Sequence, residues 1–206
     1  MAAPNSDAPK DTPDKFVAMV TATAQVSLPL SDFHPQSMLV VPEHLPERPR
    51  FPAIDYHNHL DALEPREVLR VMDTSGIEHV VNITMQTGDA ALRIIDKFRQ
   101  AEPSRFSTIS WMDWSGLERD DFIPLTLDRL ERQVDRGAVG LKFWKDLRLT
   151  VRDYSGNLLR IDDERLAPIF DKAAELRIPV MFHTADPSAF FLPVDPANER
   201  YEELVS

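Results

Sequence analysis

The chain has 206 residues, of which 43% are hydrophobic and 28% charged, values that are typical of a soluble globular domain. Its net charge of -11 argues against a nucleic acid or an anionic membrane surface as partner, since both are bound through clustered Lys and Arg. The sequence has no cysteine, so any metal ion must be held by His, Asp, Glu or a modified Lys. No apolar run reaches the roughly 20 residues of a membrane span, and we expect a cytoplasmic protein.

Residues 1–50 differ in composition from the rest of the chain. Eight of the 17 prolines lie in this segment. Because proline fixes φ and lacks a backbone donor, the segment is not expected to join a sheet or to form a long helix. We therefore predict a proline-rich N-terminal arm over 1–50, disordered in its first residues, and a folded domain over 51–206.

From Phe51 onward, short apolar runs alternate with segments of helical periodicity. The runs that predict β-strands are Pro52–His57, His79–Met85, Phe106–Met112, Ala138–Trp144 and Pro179–His183. The segments that predict helices are Glu64–Ser75, Asp89–Ala101, Asp121–Arg136, Asp162–Leu176 and Asn198–Leu204. Two of the helix ends are supported by a glycine that follows the last turn, Gly76 and Gly137.

Serial repetition of strand and helix predicts an α/β protein with a parallel sheet and helices outside it. Such a sheet is either open or closed into a (β/α)8 TIM barrel, and an open nucleotide-binding sheet usually has a glycine-rich turn after its first strand. Here HNHLDALEP follows the first strand, without glycine, which favours the barrel. Only about five of the eight βα units fit before Ser206. We expect either the N-terminal part of such a barrel, as a truncated product or fragment, or a different fold.

Two histidines lie one residue apart in the stretch IDYHNHLDAL, residues 54–63. In a strand, residues i and i+2 point to the same face, so His57 and His59 are predicted to project together, with Asp55 beside them. The carboxyl ends of barrel strands form the active site, and two adjacent imidazoles there can bind one metal ion. Alternatively, the pair only ends the strand and binds nothing.

A third histidine, His183, ends the fifth predicted strand in the sequence PVMFHTADP. It is expected at the same end of the barrel as the first pair, which favours metal binding over the alternative. The remaining three histidines are interpreted as structural or incidental. His34 and His44 lie in the arm, and His79 opens its strand at the opposite end.

Lys142 lies inside the apolar run GAVGLKFWKDL, where a buried charge is costly. One alternative is that Lys142 points outward, or that its stem is buried and its amine reaches solvent. The other is that it faces the barrel mouth and binds an anionic substrate or, if carbamylated, bridges two metal ions. Trp144 is expected on the same face and could wall a substrate pocket, as could Trp111 and Asp113. Lys142, Trp144 and Asp186, which lies in the polar loop after the fifth strand, are the candidate substrate-binding residues.

The segments DYHNHL, GAVGLKFWKDL and VMFHTADPSAFF resemble the amidohydrolase superfamily, most closely its amidohydrolase-related branch, which includes aminocarboxymuconate-semialdehyde decarboxylase. The resemblance covers about residues 51–206. It implies a (β/α)8 barrel with one or two divalent metal ions, commonly zinc, held by His57, His59 and His183. Lys142 falls on the strand that carries a carboxylated lysine in binuclear members. The family's later histidine and aspartate have no counterpart before Ser206.

The resemblance implies a metal-dependent hydrolase, in which a metal-activated water attacks a C–N or C–O bond of a small-molecule substrate. The same site could instead remove CO2 from a carboxylated substrate, which makes a zinc-dependent carboxy-lyase the alternative. Because the later aspartate would lie beyond Ser206, we expect no turnover from this chain alone.

A third alternative is a non-catalytic fragment that associates with a partner or with itself as a homo-oligomer. Half a barrel has two open sheet edges, which invite pairing with another chain. It also exposes apolar positions of the barrel interior, and Met181 and Leu141 are expected to be among them.

Overall fold

A parallel β-sheet of five strands forms the centre of the fold. The structure is a computed structural model that describes residues 28–35, 40–45, 47, 49–184 and 186–205. The strands are β1 (Ala53–Asn58), β2 (Ile77–Ile83), β3 (Phe106–Trp111), β4 (Ala138–Phe143) and β5 (Val180–Phe182). They pair in chain order, each parallel to the next, and the sheet curls into half of a barrel. The predicted α/β class and partial TIM barrel are therefore confirmed.

The described part of the chain contains six α-helices: α1 (Pro65–Ser75), α2 (Gly88–Ala101), α3 (Phe122–Arg136), α4 (Asp146–Leu149), α5 (Ala167–Glu175) and α6 (Tyr201–Val205). None of them is long and apolar enough to cross a membrane. The predicted helix ends before Gly76 and Gly137 are confirmed. The φ angles of these glycines, 70° and 112°, lie in the left-handed region that a side chain disfavours. The short helix α4 was not predicted.

Helix α5 begins at Ala167 rather than at Asp162, where the sequence pattern predicted its start. Pro168 lies in its first turn, the part of a helix where a missing backbone N–H is not needed for an intrahelical bond. The residues before it form a separate 3-10 turn, Glu164–Leu166, whose backbone is capped by the Asp163 side chain. Asp163, one of the acidic residues at the start of the predicted helix, thus caps this 3-10 turn and not the α-helix.

Two clusters of buried apolar side chains hold the helices against the outer face of the sheet. The larger one consists of Met112, Phe122, Leu130, Leu141, Phe143, Leu147, Leu159, Leu166 and Ile169. The smaller one consists of Leu60, Val68, Met72, Val80, Phe98 and Phe106. Their apolar burial is the main force that attaches the helices to the strands.

The inner face of the curled sheet has a third, smaller apolar cluster. It contains Val81, Ile83 and Ile109, with Trp111 and Met181 packed against them. The expectation for Leu141 was wrong, since this residue is 3% exposed and packs under the helices in the larger outer cluster. Neighbouring residues of a strand point to opposite faces, so the same strand cannot turn both Leu141 and Lys142 inward.

The described residues before 45 and after 184 form a unit of their own, separate from the unit of Leu45–Thr184. Within it, the His34 N–H donates to the Pro196 carbonyl at 3.0 Å. The buried Asn198 amide donates to the Ala189 carbonyl at 2.9 Å. The disorder predicted for the start of the arm falls on residues that lie outside the described ones.

Candidate functional site

Strand alternation determines which side chains of β4 and β5 face the inner side of the sheet. In β4, both neighbours of Lys142 pack in the larger outer cluster, so Lys142 faces inward. In β5, both neighbours of Met181 pack against the same outer cluster, so Met181 faces inward, and His183, two residues further on, shares its side. An outward orientation of Lys142 is therefore excluded, and its role in ligand binding stays a prediction.

Strand β1 is irregular where the first two histidines lie. Between Asp55 and Asn58 the register has two residues of β1 opposite one of β2, which is a β-bulge. Strict alternation therefore does not apply to this stretch. The rings of His57 and His59 nevertheless lie together, 5.4 Å apart between centroids in an edge-to-face arrangement. The Asp55 carboxylate accepts hydrogen bonds from the His57 N–H (3.3 Å) and from the Asn58 side chain within this bulge.

His57 lies within electrostatic reach of three other basic side chains. Partial burial lowers the pKa of His57 below its ordinary value of 6.5, and the charges of Lys142, His59 and His183 lower it further, while Asp55 raises it. These charges belong to residues of β1, of β4 and of the segment directly after β5. Because a metal-binding imidazole has to be neutral, the lowered pKa favours the ligand form of His57 near neutral pH.

The ring of His59 is held by the neighbouring strand. Its Nδ1 lies 2.9 Å from the Ile83 carbonyl oxygen. A carbonyl can only accept, so Nδ1 carries a proton, and in the neutral ring Nε2 then has the lone pair. The ring of Trp111 lies on another side of His59, at 6.4 Å between centroids. His59 therefore has one nitrogen committed to the backbone and one available as a ligand.

Two indole rings lie next to Lys142. Trp111 is its partner in the β3–β4 register, and the rings of Trp111 and Trp144 are 5.8 Å apart and tilted by 40°. Lys142 is 2% exposed, and burial lowers its pKa below the ordinary lysine value. A buried amine beside two aromatic walls is suited to bind one acidic group of a small ligand.

Two other candidates have different surroundings. Asp113 accepts a hydrogen bond from Arg129 of α3 at 3.0 Å, in a half-buried ion pair, which gives it a structural partner. Asp186 lies in the other unit and is half-buried there. Its predicted role in substrate binding stays a prediction.

The sequence profile of the family described as Amidohydrolase matches residues 27–201, which is most of the chain. The chain belongs to the amidohydrolase family. No curated protein matches it. Among solved structures, this amidohydrolase is similar to a probable 2-pyrone-4,6-dicarboxylic acid hydrolase from Acinetobacter baumannii, crystallised with citric acid bound, with 16% identity and a TM-score of 0.45 over 65% of the chain. The chain spans 50% of that protein's length.

The spacing of the two histidine rings matches that of two ligands of one divalent metal ion. Two imidazoles bound to one tetrahedral zinc ion at about 2.0–2.1 Å have ring centres roughly 5 Å apart, close to the 5.4 Å between His57 and His59. Among the residues that the structure describes, however, no three His, Asp or Glu side chains already form a group that could hold a metal ion. Within its described residues the fold thus has a histidine pair at this spacing, and the predicted ligand role of His183 stays a prediction.

A cleft of about 550 Å³ lies at the opposite, amino ends of β1 and β2, where Pro49, Phe51, Met72 and Gly76 contribute to its walls. Asp73, which also lines it, pairs with an arginine at 2.8 Å. In barrels the catalytic groups lie at the carboxyl ends of the strands, and the amino ends contribute to stability. We therefore place the candidate site at the histidine end and not in this cleft.

Sequence reasoning missed a group of polar side chains beside His59. Asn82 and Thr84 are completely buried, and both donate hydrogen bonds to the Asp61 carboxylate. The signal that could have found them is the pair of polar residues in the apolar run VVNIT, together with an Asp two residues after the histidine pair. Buried polar residues in a strand need partners, and these partners lie in the loop that follows β1.

Proposed function

We propose that this amidohydrolase is a metal-dependent hydrolase that acts on small carboxylated molecules. The observation that carries the proposal is the pairing of the His57 and His59 rings beside Trp111, the register partner of the inward-facing Lys142, in a chain of this family. Such a group at the carboxyl ends of barrel strands is typical of an active site. The segments DYHNHL and VMFHTADPSAFF favour the amidohydrolase-related branch, which is part of the proposal.

His57, His59 and His183 would hold the metal ion, and zinc suits a site of imidazole nitrogens. A bound divalent ion of this kind lowers the pKa of water and polarises a substrate carbonyl. The residues of this chain prepare the site for it. The lowered pKa of His57 favours the neutral ring, and the Ile83 carbonyl accepts the proton that the neutral His59 ring carries on Nδ1.

Lys142 would bind a carboxylate of the substrate. Its amine is buried on the inner face, and its ammonium form is a strong donor to an acidic group. Trp111 and Trp144 would pack against the apolar part of the same molecule and exclude water. Burial lowers the pKa of Lys142, and a negatively charged ligand beside the amine would raise it again and stabilise the charged form.

A carboxy-lyase is the alternative within the same site. The observation that favours it is again Lys142, which would hold a carboxylate beside the histidines whether that group is kept or leaves as CO2. The two reactions differ in their products. One reaction releases an acid and the other releases CO2, and the binding groups of this chain would serve both.

A non-catalytic, self-associating protein is the alternative from another class. Strand β1 lies at one edge of the sheet, and its residues Ile54 and Tyr56 are 62% and 55% exposed. An open edge with exposed apolar side chains favours pairing with another chain. A dimer in analytical ultracentrifugation that Ile54→Lys dissociates, without any zinc or carboxylate binding, would favour this alternative.

The experiment that tests the proposed function is calorimetric titration of the chain with Zn²⁺ and then with succinate as a simple carboxylate probe. Binding is the readout because it depends on residues that the structure describes. We expect zinc loading to strengthen succinate binding, and Lys142→Met to weaken it at least about tenfold, as loss of a charge-assisted bond of about 1.5–3 kcal/mol implies. Lys172→Met, a change at a lysine of α5 that pairs with Glu175, is the control. Succinate binding that depends neither on zinc nor on Lys142 would contradict the proposal.

A further inference from the structure

His59 lies one residue beyond the last paired position of β1. The β1–β2 register ends at the pair of Asn58 and Asn82, so the backbone of His59 and of the following residues has no ladder to hold it. Yet the His59 ring makes a specific bond, from Nδ1 to the Ile83 carbonyl at 2.9 Å. That bond persists only if the loop after β1 stays close to the end of β2.

The side chain of Asn82 holds this loop. It is 0% exposed, and it uses both of its polar atoms. Its Oδ1 accepts a hydrogen bond from the Leu60 N–H at 2.7 Å, and its Nδ2 donates to Oδ1 of Asp61 at 3.1 Å. One amide thus binds the two residues that follow His59, and it takes the place of the missing backbone pairing.

Asp61 is held at further points. Its Oδ2 accepts hydrogen bonds from the Thr84 hydroxyl at 3.0 Å and from the Met85 N–H at 2.9 Å. Its backbone carbonyl accepts a bond from Lys97 of α2 at 3.2 Å. Both carboxylate oxygens and the carbonyl are therefore engaged, and the loop is attached to β2, to the residues after it and to α2. A network whose members are all satisfied is rigid.

We propose that Asn82 and Asp61 are positioning residues, which fix the orientation and the tautomer of His59. Neutral histidine has two tautomers, and only the one with the proton on Nδ1 leaves Nε2 as a ligand atom. By holding Leu60 and Asp61 against β2, the pair keeps Nδ1 within reach of the Ile83 carbonyl. The consequence for metal affinity rests on the proposed function, whereas the tautomer of His59 can be measured without any metal.

Three variants test the proposal through the bond that joins the two side chains. The amide of Asp61→Asn can take two orientations. In one, its NH2 group faces the NH2 group of Asn82, and in the other, Thr84 and Met85 lose their acceptor. Asn82→Asp opposes two carboxylates. In the double variant, the carboxylate introduced at position 82 can accept from the Leu60 N–H and from the amide introduced at position 61, whose oxygen still accepts from Thr84 and Met85. The double variant therefore reverses one hydrogen bond and keeps the others, so it should rescue the single changes.

Nitrogen NMR of the metal-free protein, at a pH above the ordinary histidine pKa of about 6.5, reports the tautomer of each ring. The His59 signal is assigned by its loss in His59→Gln. We expect the Nδ1–H form in the native protein, a mixture in each single variant, and recovery in the double variant. Thr108→Val, a change at another buried threonine on β3, should leave the tautomer unchanged. An unchanged His59 signal in both single variants, or an equal change in Thr108→Val, would overturn the proposal.

Zinc titration of the same proteins separates this proposal from the proposed function. Loss of a group that orients a metal-binding histidine typically lowers metal affinity by about 10–100-fold, and we expect this range for each single variant and recovery in the double variant. If the native protein binds no zinc, the proposed function fails while the tautomer result still decides the role of Asn82 and Asp61. If the single variants bind zinc as tightly as the native protein, the positioning role is contradicted while the proposed function stands.

Discussion

The imidazole rings of His57 and His59 lie 5.4 Å apart although the strand between Asp55 and Asn58 is bulged. A bulge adds one residue to a strand and turns the side chains next to it, and such irregularities are frequent beside active sites. Here Asp55 stabilises the bulge through two hydrogen bonds. The pair is thus a product of local strand distortion as well as of its i, i+2 spacing.

The first prediction concerns the core under the outer face. Phe143 is 0% exposed, and its ring lies 5.1 Å from Phe182, 5.6 Å from Phe170 and 5.7 Å from Trp114 between centroids. Phe143→Ala should lower the free energy of unfolding by about 3–5 kcal/mol, because it removes buried contacts and leaves a cavity. Urea denaturation measures the change. Tyr154→Ala, at a highly exposed position, should change it by less than about 0.5 kcal/mol, and equal effects would contradict the described core.

The second prediction concerns the end of α3. Gly137 has a φ of 112°, and a Cβ there would lie 2.9 Å from Cδ of Arg99, whose guanidinium donates to the Arg136 carbonyl at 2.6 Å. Gly137→Ala should cost about 1–2 kcal/mol, from backbone strain and displacement of Arg99. Gly88→Ala is the matched control, since Gly88 also has a positive φ but has open space around it. Thermal denaturation should rank Gly137→Ala as the more destabilised variant, and the reverse order would be inconsistent with this packing.

The third prediction is that Lys142 lowers the stability of the folded protein. Burial lowers the pKa of this lysine in the folded state, whereas in the unfolded chain the pKa is about 10.5. Below that pH the unfolded chain therefore binds the proton more tightly than the folded protein does, which destabilises the fold. The penalty is therefore largest at low and neutral pH and disappears as the pH rises towards 10.5. Lys142→Met should raise the free energy of unfolding by about 1 kcal/mol at neutral pH, with a gain that shrinks at alkaline pH. Urea titrations across this pH range that show a constant difference would refute the assignment.

The fourth prediction concerns the pH dependence of His57. The pKa of His57 is lowered by burial and then by Lys142. The contribution of the neutral ring to the free energy of unfolding is therefore fully present above about pH 6.5, and it is lost as the pH falls towards the lowered pKa. Without metal, His57→Gln should therefore lose less stability than the native protein between about pH 7.5 and about pH 5. His44→Gln, at an exposed histidine of the arm, is the control. Identical pH profiles for His57→Gln and the native protein would count against the cluster of basic groups.

The sequence alone was sufficient for the class of fold and for the approximate positions of the five strands. The apolar runs and the glycines after two helices have local causes, namely side-chain periodicity and the left-handed backbone that Gly76 and Gly137 adopt. Where local signals competed, the prediction was wrong. Asp163 caps a 3-10 turn, and Pro168 delays the start of α5.

Long-range relationships in the site could not be predicted from the pattern. The contact of Asn82 with Asp61 and that of His59 with the Ile83 carbonyl join residues that lie more than twenty positions apart. They depend on the register of β1 with β2 and on the bulge, and neither leaves a signature in composition or spacing. The proposed roles of His57, His59 and His183 as metal ligands stay a prediction.

The measurement that tests the central claim most directly is calorimetric titration of the purified, metal-free chain with Zn²⁺. The native protein and His44→Ala should bind about one ion each with similar affinity, while His57→Ala and His59→Ala should each bind at least about tenfold more weakly, because each loses one of the nitrogen ligands. Circular dichroism of all four proteins verifies that the fold is retained. Zinc binding that is absent from the native protein, or that is unchanged in His57→Ala and His59→Ala, would contradict the claim that the inner face of this half barrel is a metal site.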